Sequence, residues 1–313
     1  MRFHVFGDSN ADVMILIHGT LTPWQSWHAQ VDYFSQKYCV VAVSLSGHTG
    51  DIADEFESID DEARQIEEYV LSRFGPRVHA VCGVSLGGSI AYRLFENGRL
   101  EIDYLILDGA PLVPLNWLIT TFLKKQGLAI VHKSQRRDPK TLERFGSYFL
   151  PDKYLSYYLE LVDGMSDASM LNLVKSVTSI QINPSRTVVN PAEDGRGLLS
   201  ETARPSEPTV PTGLTAPTGL TAPTQPAHPT AQTRPAVTGT QILFLCGTHF
   251  SESHSLNSAK TLKQHYPQLT LWFFQNASHA ETVVHNPVRW NAVVEMFMDG
   301  KLSEIRENRT IRR

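Results

Sequence analysis

Cysteine is scarce, with three in 313 residues: Cys39, Cys82 and Cys246. The number is odd, and each lies in an apolar run ("YCVVAV", "HAVCGV", "ILFLCG"). That argues against a disulfide framework and for buried thiols acting as small hydrophobes. Long apolar runs are missing too: none approaches the roughly 20 residues that a membrane span needs. The opening "MRFHVFGDSN" has no apolar signal-peptide core. The expectation is a cytoplasmic chain with no membrane span. Basic clusters are absent apart from a terminal "RENRTIRR", read as a solvated tail, and the net charge is −4, so no nucleic-acid footprint is expected. The phosphate-loop pattern G-x-x-x-x-G-K-[ST] does not occur. His249 and His254 lie five apart in "HFSESH", with no thiolate or paired histidine to complete a ligand set. Neither a metal nor a cofactor is expected.

What the chain does contain is an alternation of strand and helix signals. "VMILIHG", "CVVAVSL", "VHAVCGV", "IDYLILDGA", "QILFLCG" and "LTLWFFQ" are short continuous apolar runs, as expected of parallel strands covered on both faces. Helical spacing lies between them. In "IDDEARQIEEYVLSRFG", Ala63, Ile66, Val70 and Phe74 form one stripe, Ser58 is the expected N-cap, and Gly75 with Pro76 stops the helix. Trp27, Val31 and Phe34 mark another helix in "QSWHAQVDYFSQKY". The fold class expected is α/β, a mostly parallel sheet with helices on both faces, and "RFHVFG" is read as an antiparallel edge strand.

Two stretches break the rhythm. Residues 111–183 read as helices without a strand, a helical insertion carried by a core made of 1–110 and 241–313. Residues 184–240 hold ten of the chain's eighteen prolines, no Phe, Trp or Tyr, and the repeat "PTGLTA" at Pro211 and Pro217. So few apolar groups do not offset ordering entropy, and this insertion is expected to be disordered.

"GVSLG", Gly83 to Gly87, matches G-x-S-x-G between a strand and a helix. A tight strand-to-helix turn lifts Ser85 clear of the sheet, at the positive end of the next helix, and brings chain segments so close that Cβ atoms at Gly83, Gly87 and Gly88 would clash. Such a hydroxyl needs a base. His279, in "FFQNASHAE" past the last strand, is the best placed of twelve histidines, and His285 is a nearby decoy. Oxyanion donors are expected from the amide of Leu86 and from the loop near Thr20, with His18 as a structural residue shaping that loop. The acid stays open between Asp108, ending "YLILDGA", and Glu252, in "CGTHFSES".

"LIHGT", "SLSGH", "GVSLGG", "ILDGAP" and "ASHAE…NP", in that order, resemble the α/β-hydrolase superfamily. The likeness is to small bacterial carboxylesterase-like members with a helical lid between the sixth and seventh strands. It implies the α/β-hydrolase fold, with residues 111–183 as the lid. It also implies a Ser85–His279–acid triad that cleaves a small ester or thioester, with a small molecule as the partner. In that superfamily the acid usually follows the strand before the histidine. Phe250 stands at the customary place, so Glu252 is preferred over Asp108, which fits a variant with the acid one strand earlier. Trp117, Leu118, Phe122, Tyr154, Tyr157 and Tyr158 suggest an apolar substrate pocket, or else packing between lid and core. A lyase or synthase using the same groups, and a non-catalytic interaction module, are the alternative functions. The sequence says nothing of oligomeric state.

Overall fold

The structure is a computed structural model and describes residues 1–51, 53–149, 154–183, 239–249 and 253–302. Strands β1 (Arg2–Phe6), β2 (Val13–Ile17), β3 (Cys39–Ser44), β4 (Arg77–Val84), β5 (Glu101–Asp108), β6 (Gln241–Gly247) and β7 (Thr270–Phe274) form one sheet in the order β1-β3-β2-β4-β5-β6-β7. β1 runs antiparallel to β3, as its edge position suggests. Every other pairing is parallel. Parallel neighbours require crossovers, and helices supply them. A 3₁₀ turn at Trp24–Trp27 leads into α1 (His28–Phe34). The rest are α2 (Ile59–Arg73), α3 (Leu86–Asn97), α4 (Trp117–Gln135), α5 (Pro139–Phe149), α6 (Leu155–Gly164), α7 (Asp167–Ser179), α8 (Ser253–His265), α9 (Glu281–His285) and α10 (Pro287–Met298).

The continuous apolar runs divide by strand alternation. Ile15, Ile17, Val41, Val81 and Leu105 point into one core with Ile66 and Val70 of α2 and Ile90 of α3. Met14, Leu16, Ala42, Cys82 and Ile106 enter the other, with Val31 of α1 and Trp290 and Val294 of α10. Period two places successive side chains on opposite faces, so a strand buried on both faces reads as unbroken hydrophobicity. The three cysteines are buried in β3, β4 and β6, with no disulfide between them.

Ser58 caps α2, its side chain accepting from the Asp61 amide at 3.1 Å. Ala63, Ile66 and Val70 are fully buried, and Gly75 ends the run at φ +84°. α1 is shorter than the sequence pattern, because the chain first winds through the 3₁₀ turn that buries Trp27.

Residues 111–183 contribute α4 to α7 and, among the described residues, no strand. In this chain these helices fall between β5 and β6, the fifth and sixth strands, rather than between a sixth and a seventh. Three hydrogen bonds tie α7 and its C-terminal end to neighbouring segments: Phe56 N to Ser169 Oγ (2.9 Å), Asn172 Nδ2 to Phe56 O (3.2 Å), and Leu115 N to Thr178 O (2.9 Å). Of the Pro/Thr-rich stretch, positions 184–238 lie outside the described residues.

Candidate functional site

Open parallel sheets present their loops at the carboxyl ends of the strands, and the candidate groups gather there. β4 ends at Val84 and α3 starts at Leu86, so Ser85 alone makes the turn. Its backbone is forced to φ 52°, ψ −115°. Ser85 occupies the N-cap position of α3, yet its hydroxyl makes no capping bond. A purely structural serine would be expected to cap the helix. The three glycines have the expected cause. A Cβ on Gly83 would run into the Gly87 carbonyl, one on Gly87 into the Ile17 carbonyl, and one on Gly88 would sit 2.7 Å from Ala110 Cβ.

The loop after β2 packs against this turn: a Cβ on Gly19 would lie 3.5 Å from Ser85 Cβ. Two buried histidines hold that loop. His18 Nε2 accepts from the Leu45 amide (3.1 Å), leaving Nδ1–H to donate to Gly19 O (2.9 Å). His48 Nε2 accepts from the Leu21 amide (3.2 Å), and its Nδ1–H donates to Ser46 O (3.0 Å). Both rings are therefore neutral, and burial pushes His18 down to about 3 and His48 to about 4. His18 is structural, as expected. Nothing near His48 in "SLSGH" marks this role, because its partner Leu21 lies 27 residues away. Leu21 sits at φ 54°, and the His48 bond helps hold it there. The amides of Thr20 and Leu86 donate to no acceptor among the described residues.

These two histidines carry a stability prediction. Their folded pKa values lie below the unfolded value of about 6.5, so their contribution is complete above pH 6.5 and is lost as pH falls through about 4 and then 3. At pH 5 the unfolded chain already binds both protons, which costs the fold roughly 2 kcal/mol per ring. The two rings together favour the fold at pH 7.5 over pH 5 by roughly 4 kcal/mol, whereas the buried Glu62 carboxyl, raised by burial to about 7, disfavours it by roughly 2 kcal/mol over the same interval. Chemical denaturation of Glu62→Gln removes the opposing carboxyl, and a flat profile of that variant between pH 5 and pH 7.5 would contradict neutral, buried rings.

His279 stands on the loop after β7, followed by Ala280 at φ 56°. The loop is pinned to β6's end by Thr248 and His249 amides donating to Ala277 O (3.0 and 3.2 Å). The imidazole lies over Gly109: a Cβ there would be 2.9 Å from Nδ1 and 3.6 Å from Nε2. Cε1 is nearer still, at 2.7 Å, so of the two ring nitrogens Nδ1 is the one closer to Gly109. Asp108, the last residue of β5, is buried, and its Oδ2 accepts from Trp290 Nε1 at 2.9 Å. Glu252 lies outside the described residues. His285 ends α9 and does not line the site.

Ser85, His279 and the Gly19–Thr22 loop line one cavity of about 440 Å³. Leu115, Leu123, Ile130, Met170, Leu173 and Val177 form its apolar wall, chiefly from α4 and α7. This corrects the aromatic-pocket expectation. None of Trp117, Leu118, Phe122, Tyr154, Tyr157 and Tyr158 lines the cavity. Tyr154 and Tyr158 are packed inside, and the other four are exposed. Spacing along a helix shows which residues share a face but not which face the sheet will meet.

His254, in sequence only half of an incomplete metal-ligand pair, lines the cavity as well. Its Nε2 is buried with no hydrogen-bond partner among the described residues. Its pKa is lowered by burial and then by repulsion from His279. Among the described residues, five non-glycine residues have positive φ, and three of them (Leu21, Ser85 and Ala280) line the cavity. Strain of about 1–3 kcal/mol per residue persists only where the surroundings impose it, and it clusters at functional sites. No group of three or more metal-ligating side chains occurs among the described residues, and none of their helices is long and apolar enough to cross a membrane.

The chain is similar to proteins of known kind. It is 30% identical over 117 residues to epoxide hydrolase 3 of Xenopus tropicalis, covering 36% of this chain and 31% of that protein. It is 29% identical over 104 residues to the pimeloyl-[acyl-carrier protein] methyl ester esterase of Nitrosomonas europaea, covering 33% and 39%. The aligned part thus spans about a third of each relative's length. A thermophilic esterase from Thermogutta terrifontis superposes with a TM-score of 0.61 at 12% identity, over 96% of this chain and 93% of that one. At that identity the likeness is one of fold. The model of the alpha/beta hydrolase family matches residues 14–289. From that match, together with the seven-stranded sheet and the serine turn at its carboxyl edge, the chain belongs to the alpha/beta hydrolase family.

Proposed function

We propose that the protein is a serine hydrolase that cleaves a small apolar ester or thioester through an acyl-enzyme. The observation that carries this reading is a single cavity lined by both Ser85 and His279, residues 194 positions apart in the chain. Ser85 Oγ attacks the carbonyl carbon, and His279 takes its proton and returns it to the leaving group. The free amides of Thr20 and Leu86 receive the oxyanion. An amide at the N-terminus of α3 suits developing negative charge, and a wall with few polar groups strengthens that interaction. Water then attacks the acyl-enzyme by the same route in reverse.

For the acid, the geometry favours Asp108. His279 lies over Gly109, the residue next to Asp108, with Nδ1 nearer to it than Nε2, and Trp290 holds the Asp108 carboxylate in place. An acid bonded to Nδ1 fixes the tautomer and stabilises the imidazolium. The aliphatic wall from α4 and α7 fits a linear or branched alkyl group, and these helices serve as the lid over it.

The test is a fluorophosphonate probe together with a panel of 4-nitrophenyl esters of increasing acyl length. Stoichiometric labelling is expected, with turnover that rises and then falls as the chain outgrows the cavity. A folded protein that neither labels nor turns over any ester would point instead to a non-catalytic member of the family.

A further inference from the structure

α4 is apolar on two sides. One side, including Leu123, Gly127 and Ile130, lines the cavity. On the other, Trp117, Leu118 and Phe122 are exposed at 73%, 61% and 58%. Single exposed apolar residues need no explanation, but three large ones within two turns do. Leu118 and Phe122 continue at helical spacing into Lys125, Ala129 and Lys133, all exposed. α4 contains three lysines and no Asp or Glu. The outward stripe is thus apolar at its N-terminal half and cationic at its C-terminal half, so a helix docked by this stripe would set its apolar end in an acyl boundary and its lysines among anionic headgroups.

We propose that the outer face of α4 docks on an anionic lipid surface, with Trp117, Leu118 and Phe122 entering the acyl boundary and Lys125 and Lys133 meeting the headgroups. Because the inner side of α4 lines the cavity, docking would bring the cavity within a helix diameter, ~10 Å, of the surface, from which its ester could arrive. That consequence for the substrate rests on the hydrolase reading, whereas the docking does not.

Vesicle flotation separates the two. The full-length protein should float with phosphatidylcholine vesicles containing phosphatidylglycerol, and much less with phosphatidylcholine alone. Trp117→Ser/Phe122→Ser should weaken binding at least tenfold. Lys125→Glu/Lys133→Glu should remove the anionic preference, at roughly fivefold per lysine. Both double variants change exposed positions outside the cavity, and each should hydrolyse a short soluble ester like the parent. No flotation of the parent, or equal flotation of parent and variants, overturns docking. So does a sedimenting dimer that Trp117→Ser/Phe122→Ser converts to monomer, since the face would then be a contact between copies. A parent that floats yet hydrolyses nothing supports docking while counting against the proposed reaction.

Discussion

Replacing Ser85 by alanine should abolish fluorophosphonate labelling and lower kcat by about 10⁴–10⁶-fold, the range seen when a nucleophile that works with a base is removed. Stability should change little. The Ser85 side chain makes no capping bond, and alanine at φ 52° bears much the same strain as serine. The turn itself is held by backbone: Ser85 N donates to Asp108 O at 2.8 Å, and Ser89 N to Ser85 O at 3.1 Å. Neither bond involves the hydroxyl. A Tm within a few degrees of the parent together with loss of turnover is therefore the expected pair. Turnover or labelling that survives Ser85→Ala would remove the nucleophile from the proposal, and with it the acyl-enzyme.

Asp108→Asn should be nearly as costly, about 10⁴-fold in kcat, because an amide at that place favours the wrong tautomer of the base and gives the imidazolium no counter-charge. Glu252→Gln should cost only a few-fold if Asp108 is the acid, and the two outcomes exchange if Glu252 is. Trp290→Phe adds an independent reading. It keeps a buried aromatic ring near Trp27, whose centroid lies 5.3 Å from that of Trp290, but removes the Nε1–H that Asp108 Oδ2 accepts. A hydrogen bond to a charged group is worth about 1.5–3 kcal/mol, so kcat/KM should fall roughly 10- to 150-fold, with a shift in the pH profile that cavity formation alone would not produce. If Trp290→Phe lowers Tm without touching kcat/KM, Asp108 is a structural carboxylate and the search for the acid returns to Glu252.

Much of the fold was legible in the order of residues. Unbroken apolar runs marked strands covered on both faces, the stripe of α2 matched its buried side, and Ser58 and Gly75 bounded it. The serine turn was equally readable, because the close approaches that force Gly83, Gly87 and Gly88 follow from the turn itself and from the strand beside it. Other features left no local trace. The outward aromatics of α4 and its cavity-lining aliphatics lie on different sides of one helix. Only the packing against α7 decides which side is inside. His48 and Trp290 act on partners 27 and 182 residues distant, and no pattern near either names them.

By itself, then, the order of residues determined the layered sheet, the strained serine and the histidine that could serve it. These depend on periodicity, on chain sterics and on the chemistry of single side chains. Only the tertiary structure decided that His279 lies over Gly109 just past β5, that His18 and His48 stay neutral beneath the loop after β2, and that the cavity wall is aliphatic. Each of these is a relation between segments that meet after long excursions of the chain, and desolvation and side-chain orientation exist only once they have met.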